Sequence, residues 1–132
     1  MKSWSDKLFW VVLVVMGIYL LYQKGIIGAN FESVSPKVAY EMLQNDDNVT
    51  LLDVRTVEEF KKDGKIADAK LIPLGQLPQN LNMLDKSKKV LVFCRSGNRS
   101  VSASRILESN GFTVINMNGG INGWRSEKLP VN

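Results

Sequence analysis

The run Cys94-Arg95-Ser96-Gly97-Asn98-Arg99-Ser100 sets the chain's single cysteine among small, polar and basic residues. The thiolate is the reactive form of cysteine, and this neighbourhood favours it. Gly97 admits backbone angles closed to other residues, so successive N–H groups of the run can turn inward and cradle an anion. A helix N-terminus behind the loop, amides donating to sulfur, and the charges of Arg95 and Arg99 would act together to ionise the thiol. The same cradle, the backbone from Arg95 through Ser96, Gly97, Asn98 and Arg99 to Ser100, would stabilise a persulfide, Cys94–S–S⁻. Arg99, with Arg95 second, would steer a small anionic sulfur donor. A structural cysteine buried in the core is the competing reading; the polar flank places the residue at a loop mouth instead.

Two absences narrow the chemistry. The chain has no histidine, which excludes Ser-His and Cys-His couples and His-ligated metals. One cysteine allows no internal disulfide, no CxxC pair and no thiolate cluster. Neither a cofactor nor a metal is expected, and any resolving partner for Cys94 comes from outside. The net charge is +4, with Lys2, Lys7 and Lys24 around the N-terminal apolar run. The remaining fourteen basic residues face twelve acids over 31–132, too even and too scattered for nucleic acid.

The elements that must position the cysteine follow from hydrophobic pattern. Lys89-Val90-Leu91-Val92-Phe93 is an apolar run bounded by Cys94 and reads as a central buried strand. Val49 to Val54 is another such strand, Leu71 to Leu74 a shorter one, and Val114 to Met117 the last. Ser35-Pro36 reads as N-cap and first helical position, and Thr56-Val57-Glu58-Glu59 as a capping box. Leu77, Leu81 and Leu84 mark a helical stripe. Val101 to Asn110 reads as a helix stopped by Gly111, and Gly119-Gly120 turns the chain into a short helix holding Trp124. Strands alternating with helices predict a doubly wound parallel sheet with helices on both faces. Cys94 then lies at the carboxyl end of a central strand, where open α/β sheets bind ligands.

Leu8 to Tyr22 carries no charge over fifteen residues, with Trp4, Trp10, Tyr19 and Tyr22 as interfacial aromatics. The run alone spans about 22 Å, and Trp4 and Ile26-Ile27 extend it. We expect a retained transmembrane helix that places residues 8–22 in the lipid bilayer. A signal peptide cleaved near Gly28-Ala29 and a buried core helix are the other readings. Lys2, Lys7 and the terminal amine precede the span, while Lys24 and Lys37 follow it, a small bias toward an extracytoplasmic domain. The expected organisation is residues 1–28 as anchor and linker and 29–132 as one domain, with 23–34 acting as linker.

Four segments resemble the single-domain rhodanese (thiosulfate sulfurtransferase) family: LLDVRTVEEF at 51–60, GKIADAKLIPL at 64–74, VLVFCRSGNRS at 90–100 and NGGINGW at 118–124. The resemblance implies a rhodanese-like α/β fold, a persulfide on Cys94, and transfer of sulfane sulfur to a thiol or cyanide acceptor or a protein sulfur acceptor. It also implies a supporting role for Asp53 and Arg55, through hydrogen bonding near the loop. Lys65 stands where the family commonly has histidine, and Asp68 where it commonly has glycine. Gly119, Gly120 and Trp124 are expected to shape packing.

The same fold serves Cdc25-like phosphatases, whose Cys-x5-Arg loop grips phosphate. Here Cys94 and Arg99 are separated by four residues, a narrower ring that suits one sulfur atom. A membrane-tethered binding module without catalysis is the other alternative.

Overall fold

Five strands form one parallel sheet, and the apolar strand that runs into Cys94 stands at its centre. The computed structural model describes residues 3–23 and 31–132, in two compact units that divide at residue 30. The expected boundary at 28/29, the Gly28-Ala29 cleavage position and Ile26-Ile27 lie outside the described residues.

In the second unit the elements are β1 (Glu32–Val34), α2 (Pro36–Asn45), β2 (Val49–Asp53), α3 (Val57–Lys62), β3 (Lys70–Leu71), two 3-10 turns (Leu74–Gln79, Leu81–Met83), β4 (Lys89–Phe93), α4 (Asn98–Ser109), β5 (Val114–Met117) and α5 (Gly120–Ser126). The strand order is β1-β5-β4-β2-β3, parallel throughout. Strand alternation separates two cores. Leu52, Val90, Val92, Cys94 and Val114 face Ala103 and Leu107 of α4. Leu51, Leu91, Phe93, Ile115 and Met117 face Ala39 of α2 and Ile121 and Trp124 of α5. This is the doubly wound parallel sheet, with helices on both faces, that the alternating pattern predicts.

Both N-terminal signals hold. Ser35 Oγ accepts from Val38 N–H at 3.2 Å, with Pro36 as first helical residue. Thr56 and Glu59 form the full capping box.

Four expectations need correction. Residues 32–34 are not linker: they pair with 115–117, and Val34 O accepts from Asn118 N–H at 2.8 Å. The strand is short and mostly exposed, so it carries no alternation to read, yet it covers the free edge of β5. The strand expected at 71–74 is only Lys70–Leu71, because Pro73 has no N–H to continue a ladder; Ile72 and Leu74 still donate to Asp53 O and Val54 O. The leucine stripe is two 3-10 turns broken around Pro78 and Asn80, though Leu77 and Leu84 are buried as expected. Finally, α4 begins at Asn98 rather than Val101.

The first unit contains α1 (Trp4–Gln23), twenty residues and about 30 Å long. It runs past the charge-free stretch, because Asp6 sits in the first turn and accepts from Ser3 N–H, where a carboxylate suits the helix dipole. It is long and apolar enough to cross a membrane. Its apolar side chains from Leu8 to Leu21 are 41–60% exposed.

Candidate active site

Central strand β4 ends at Phe93, and alternation turns Cys94 to the same face as Val90 and Val92. The side chain is 1% exposed, which corrects the loop-mouth expectation. The polar run starts only after the cysteine, so its side chain takes the last inward position of the strand. The sulfur is nonetheless met from the loop side, where Gly97 N–H donates to Sγ at 3.1 Å. Cys94 therefore forms the floor of the loop.

The loop is shorter than the sequence suggests. Gly97 caps α4 with φ +115, so Asn98, Arg99 and Ser100 already belong to the first helical turn. Ser100 is buried, and its hydroxyl donates to Gly97 O at 3.0 Å, closing that turn. Arg95, Ser96 and Asn98 are exposed.

A second helix holds the start of the loop. Ile121 N–H and Asn122 N–H donate to Cys94 O and Arg95 O at 2.8 and 3.0 Å. Such an approach requires Gly120. Its φ is +58, and a Cβ there would lie 2.4 Å from Cys94 O and 2.5 Å from the Arg95 carbonyl. Gly120 thus does more than shape packing, and the double glycine that opens a helix is its signal in the sequence.

Both loop arginines meet carboxylates from α3 and its end. Arg99 forms a two-pronged bond with Glu59, Nη1 to Oε1 at 2.6 Å and Nη2 to Oε2 at 2.8 Å. That bond holds the Glu59 carboxyl down at about 2, against the opposing effect of burial, with Thr56 N–H and O–H helping. It likewise raises the Arg99 guanidinium. The free steering guanidinium expected at 99 is thus already engaged. Arg95 Nε lies 3.9 Å from Asp63 Oδ2, with a side chain 58% exposed. Glu59, which local pattern marks only as a helix cap, and Asp63, which no local pattern marks, are further functional candidates.

Asp53 and Arg55 are fully buried. Arg55 Nε and Nη2 grip the Asp53 carboxylate at 2.8–3.0 Å, and Nη2 also donates to Gly64 O at 2.8 Å. The guanidinium carbon lies 5.8 Å from the Phe93 ring centroid. The pair therefore ties the end of β2 to the turn at 63–64 and to the residue before Cys94. Asp63 Oδ2 faces Arg55 Nη1 at 3.7 Å and Arg125 Nη1 at 3.5 Å, and Arg125 Nη2 donates to Asp63 O.

A cleft of about 340 Å³ lies elsewhere, bounded by Asp46 to Val49 entering β2, by Ile66 to Asp68 ahead of β3, and by Tyr40 and Trp124. Its strand neighbours are N-terminal ends, opposite the end that carries Cys94.

A cysteine past the carboxyl end of a central parallel strand, braced by two helix N-termini, defines an α/β domain of the thiol-loop class. Residues 35–127 match the Rhodanese-like domain model, and the chain belongs to that family. It is 35% identical to "Putative sulfurtransferase YtwF" of Bacillus subtilis, over 76% of this chain and 97% of that protein. It is also 35% identical to a "Sulfurtransferase" of Allochromatium vinosum, over 76% of this chain and 89% of that protein. A solved rhodanese-related protein from Thermoplasma volcanium superposes with a TM-score of 0.71 at 33% identity, covering 77% of this chain and 98% of that one.

Proposed function

We propose that the chain is a membrane-anchored sulfurtransferase that carries sulfur as a persulfide on Cys94. The observation that carries this is the Gly97 N–H aimed at Sγ from the N-cap of α4. An amide so placed, backed by the helix dipole, stabilises negative charge on sulfur.

With thiosulfate as donor, the Cys94 thiolate attacks the outer sulfur, the S–S bond breaks, and sulfite leaves with its electron pair. The product is Cys94–S–S⁻. An acceptor such as cyanide or a thiolate then attacks the terminal sulfur, and the Cys94 thiolate is released. Arg95, Ser96, Gly97, Asn98, Arg99 and Ser100 supply the cradle, and Asp53 and Arg55 hold the strand end that feeds it. Metal and cofactor take no part in this scheme.

Intact-mass measurement of the full chain in detergent after incubation with thiosulfate tests the scheme. The expected result is gain of one sulfur atom, removed by cyanide and absent in Cys94→Ser. No adduct with thiosulfate, polysulfide or an alkyl persulfide overturns it.

One observation favours a second reading, a tethered binding module: the Cys94 side chain is 1% exposed. The same mass experiment decides between them. A phosphatase is disfavoured twice, because the loop is one residue short and because Arg99 is committed to Glu59.

For α1, the length of about 30 Å matches a hydrocarbon core, and residues 1–28 serve as anchor and linker to a domain at 29–132. The flanking lysines give a small bias toward the extracytoplasmic side for that domain. A C-terminal reporter active in one compartment only tests this; signal from the cytoplasm reverses it.

A further inference from the structure

We infer that Glu59 and Asp63 set the charge at the entrance to the Cys94 loop, and thereby select sulfur donors of single negative charge over dianions such as thiosulfate. The inference rests on the sulfur-transfer reading and names the substrate class of that site.

The two loop arginines are four residues apart, at 95 and 99, and the two carboxylates are four apart, at 59 and 63. Each arginine has one of them as its partner. Glu59 occupies both Nη atoms of Arg99 at 2.6 and 2.8 Å, so that fork is filled. Asp63 is the carboxylate nearest Arg95, at 3.9 Å.

Neither carboxylate is a loose surface group. Glu59 Oε1 also accepts from Thr56 N–H and Thr56 Oγ1, both at 3.1 Å, so the helix cap fixes it in place. Asp63 Oδ2 is buried without a hydrogen-bond partner, with Arg55 and Arg125 at 3.7 and 3.5 Å on its other sides. A sulfonate arriving at Arg99 must displace a two-pronged, pre-oriented carboxylate before it gains any contact.

The charge balance points the same way. Arg55, Arg95, Arg99 and Arg125 make four positive groups in this cluster; Asp53, Glu59 and Asp63 make three negative ones. The remainder is a single positive charge. It suits a persulfide or polysulfide monoanion, for which the step balances as R–S–S⁻ plus Cys94–SH giving Cys94–S–S⁻ plus R–SH. The thiol proton passes to the departing thiolate, and the old S–S bond supplies its electron pair.

Glu59→Gln is the informative variant, because glutamine still serves as the third residue of a capping box while the charge is lost. The probes are iodoacetate and iodoacetamide, anionic and neutral alkylators of Cys94, used on the full chain. The expected result is a rise of about three- to tenfold in the iodoacetate-to-iodoacetamide rate ratio at low salt, shrinking as salt is added. A fall in KM for thiosulfate exceeding any change in kcat is expected with it. Adding Arg99→Gln to Glu59→Gln returns the ratio to its starting value, since the released cation is gone. An unchanged ratio in Glu59→Gln overturns the inference, as does failure of both reagents to reach Cys94 in either protein. If alkylation behaves as expected but no donor loads sulfur, the sulfur-transfer reading fails while the charge assignment stands.

Discussion

Two arginine–carboxylate pairs flank the Cys94 loop, and they are held in opposite ways. Arg55 and Asp53 are both 0% exposed, two residues apart on one strand end. Arg99 and Glu59 are 35% and 20% exposed and join helices forty residues apart in sequence. Burial makes the first pair costly to break, because either partner left alone is an uncompensated charge in the core. Exposure makes the second pair cheap in stability but close to whatever enters the loop. The first fixes the scaffold; the second adjusts what the scaffold holds. Similar side chains thus divide between architecture and specificity according to access to water.

The sharpest way to break this contrast is Arg55→Ala. It strands Asp53 and removes the donor to Gly64 O, and should cost about 3–5 kcal/mol in denaturant unfolding. The double variant Asp53→Asn/Arg55→Met should recover part of that loss, since no buried charge remains. A loss under about 1 kcal/mol for Arg55→Ala would put both pairs in one class. Next in size is Gly120→Ala, which tests the backbone brace on the carbonyls of Cys94 and Arg95. A Cβ 2.4 Å from Cys94 O, at φ +58, should cost about 2–4 kcal/mol. Sulfur uptake by any Gly120→Ala protein that folds should fall with it, because α5 carries the amides that hold Cys94 O and Arg95 O.

The same division explains what was legible in the chain. Strand β4, the capped starts of α2 and α3, and the cysteine loop are local patterns, written in consecutive residues. Glu59 was visible only as a cap because its meeting with Arg99 depends on where the fold sets α3 relative to the start of α4, which no local pattern encodes. The depth of Cys94 escaped for a related reason: strand alternation runs one residue beyond the apolar stretch, into a segment whose composition looks polar. β1 was invisible because it is three residues long and gains its pairing from β5 alone. The leucine stripe misled because 77, 81 and 84 suit a helical face, while Pro78 forbids the continuous α-helix that the spacing describes.

Thr56→Ala sharpens the comparison from the helix side. It removes the hydroxyl that bonds both Glu59 N–H and Glu59 Oε1 and should cost about 1 kcal/mol, the usual worth of an N-cap. Glu59 would keep Arg99 but lose one of its anchors. The iodoacetate-to-iodoacetamide ratio at Cys94 should therefore move in the same direction as in Glu59→Gln, by less. A ratio that moves the other way would show that the cap does not steady this carboxylate.

The smallest effect is in acid. The Glu59 carboxyl sits at about 2 in the folded chain against an ordinary 4.5. A carboxylate depressed on folding contributes stability that is complete above the unfolded value and is lost as pH falls through the folded one. The pair's contribution should therefore be constant above about pH 5 and fade between about 4.5 and 2. Solvent screening of this half-exposed pair limits it to under about 1 kcal/mol. Asp85, also depressed by its bonds to Ser87, adds a slope of the same sign, so wild type alone cannot assign the change. Arg99→Gln removes the largest cause of the Glu59 shift, leaves the Thr56 bonds in place and leaves Asp85 untouched. The stability difference between the two proteins should be full and constant above about pH 5 and shrink as pH falls toward 2. A difference that persists unchanged at pH 2 would mean that Arg99 stabilises the fold by packing, as a core arginine does, and the contrast between the pairs would no longer hold.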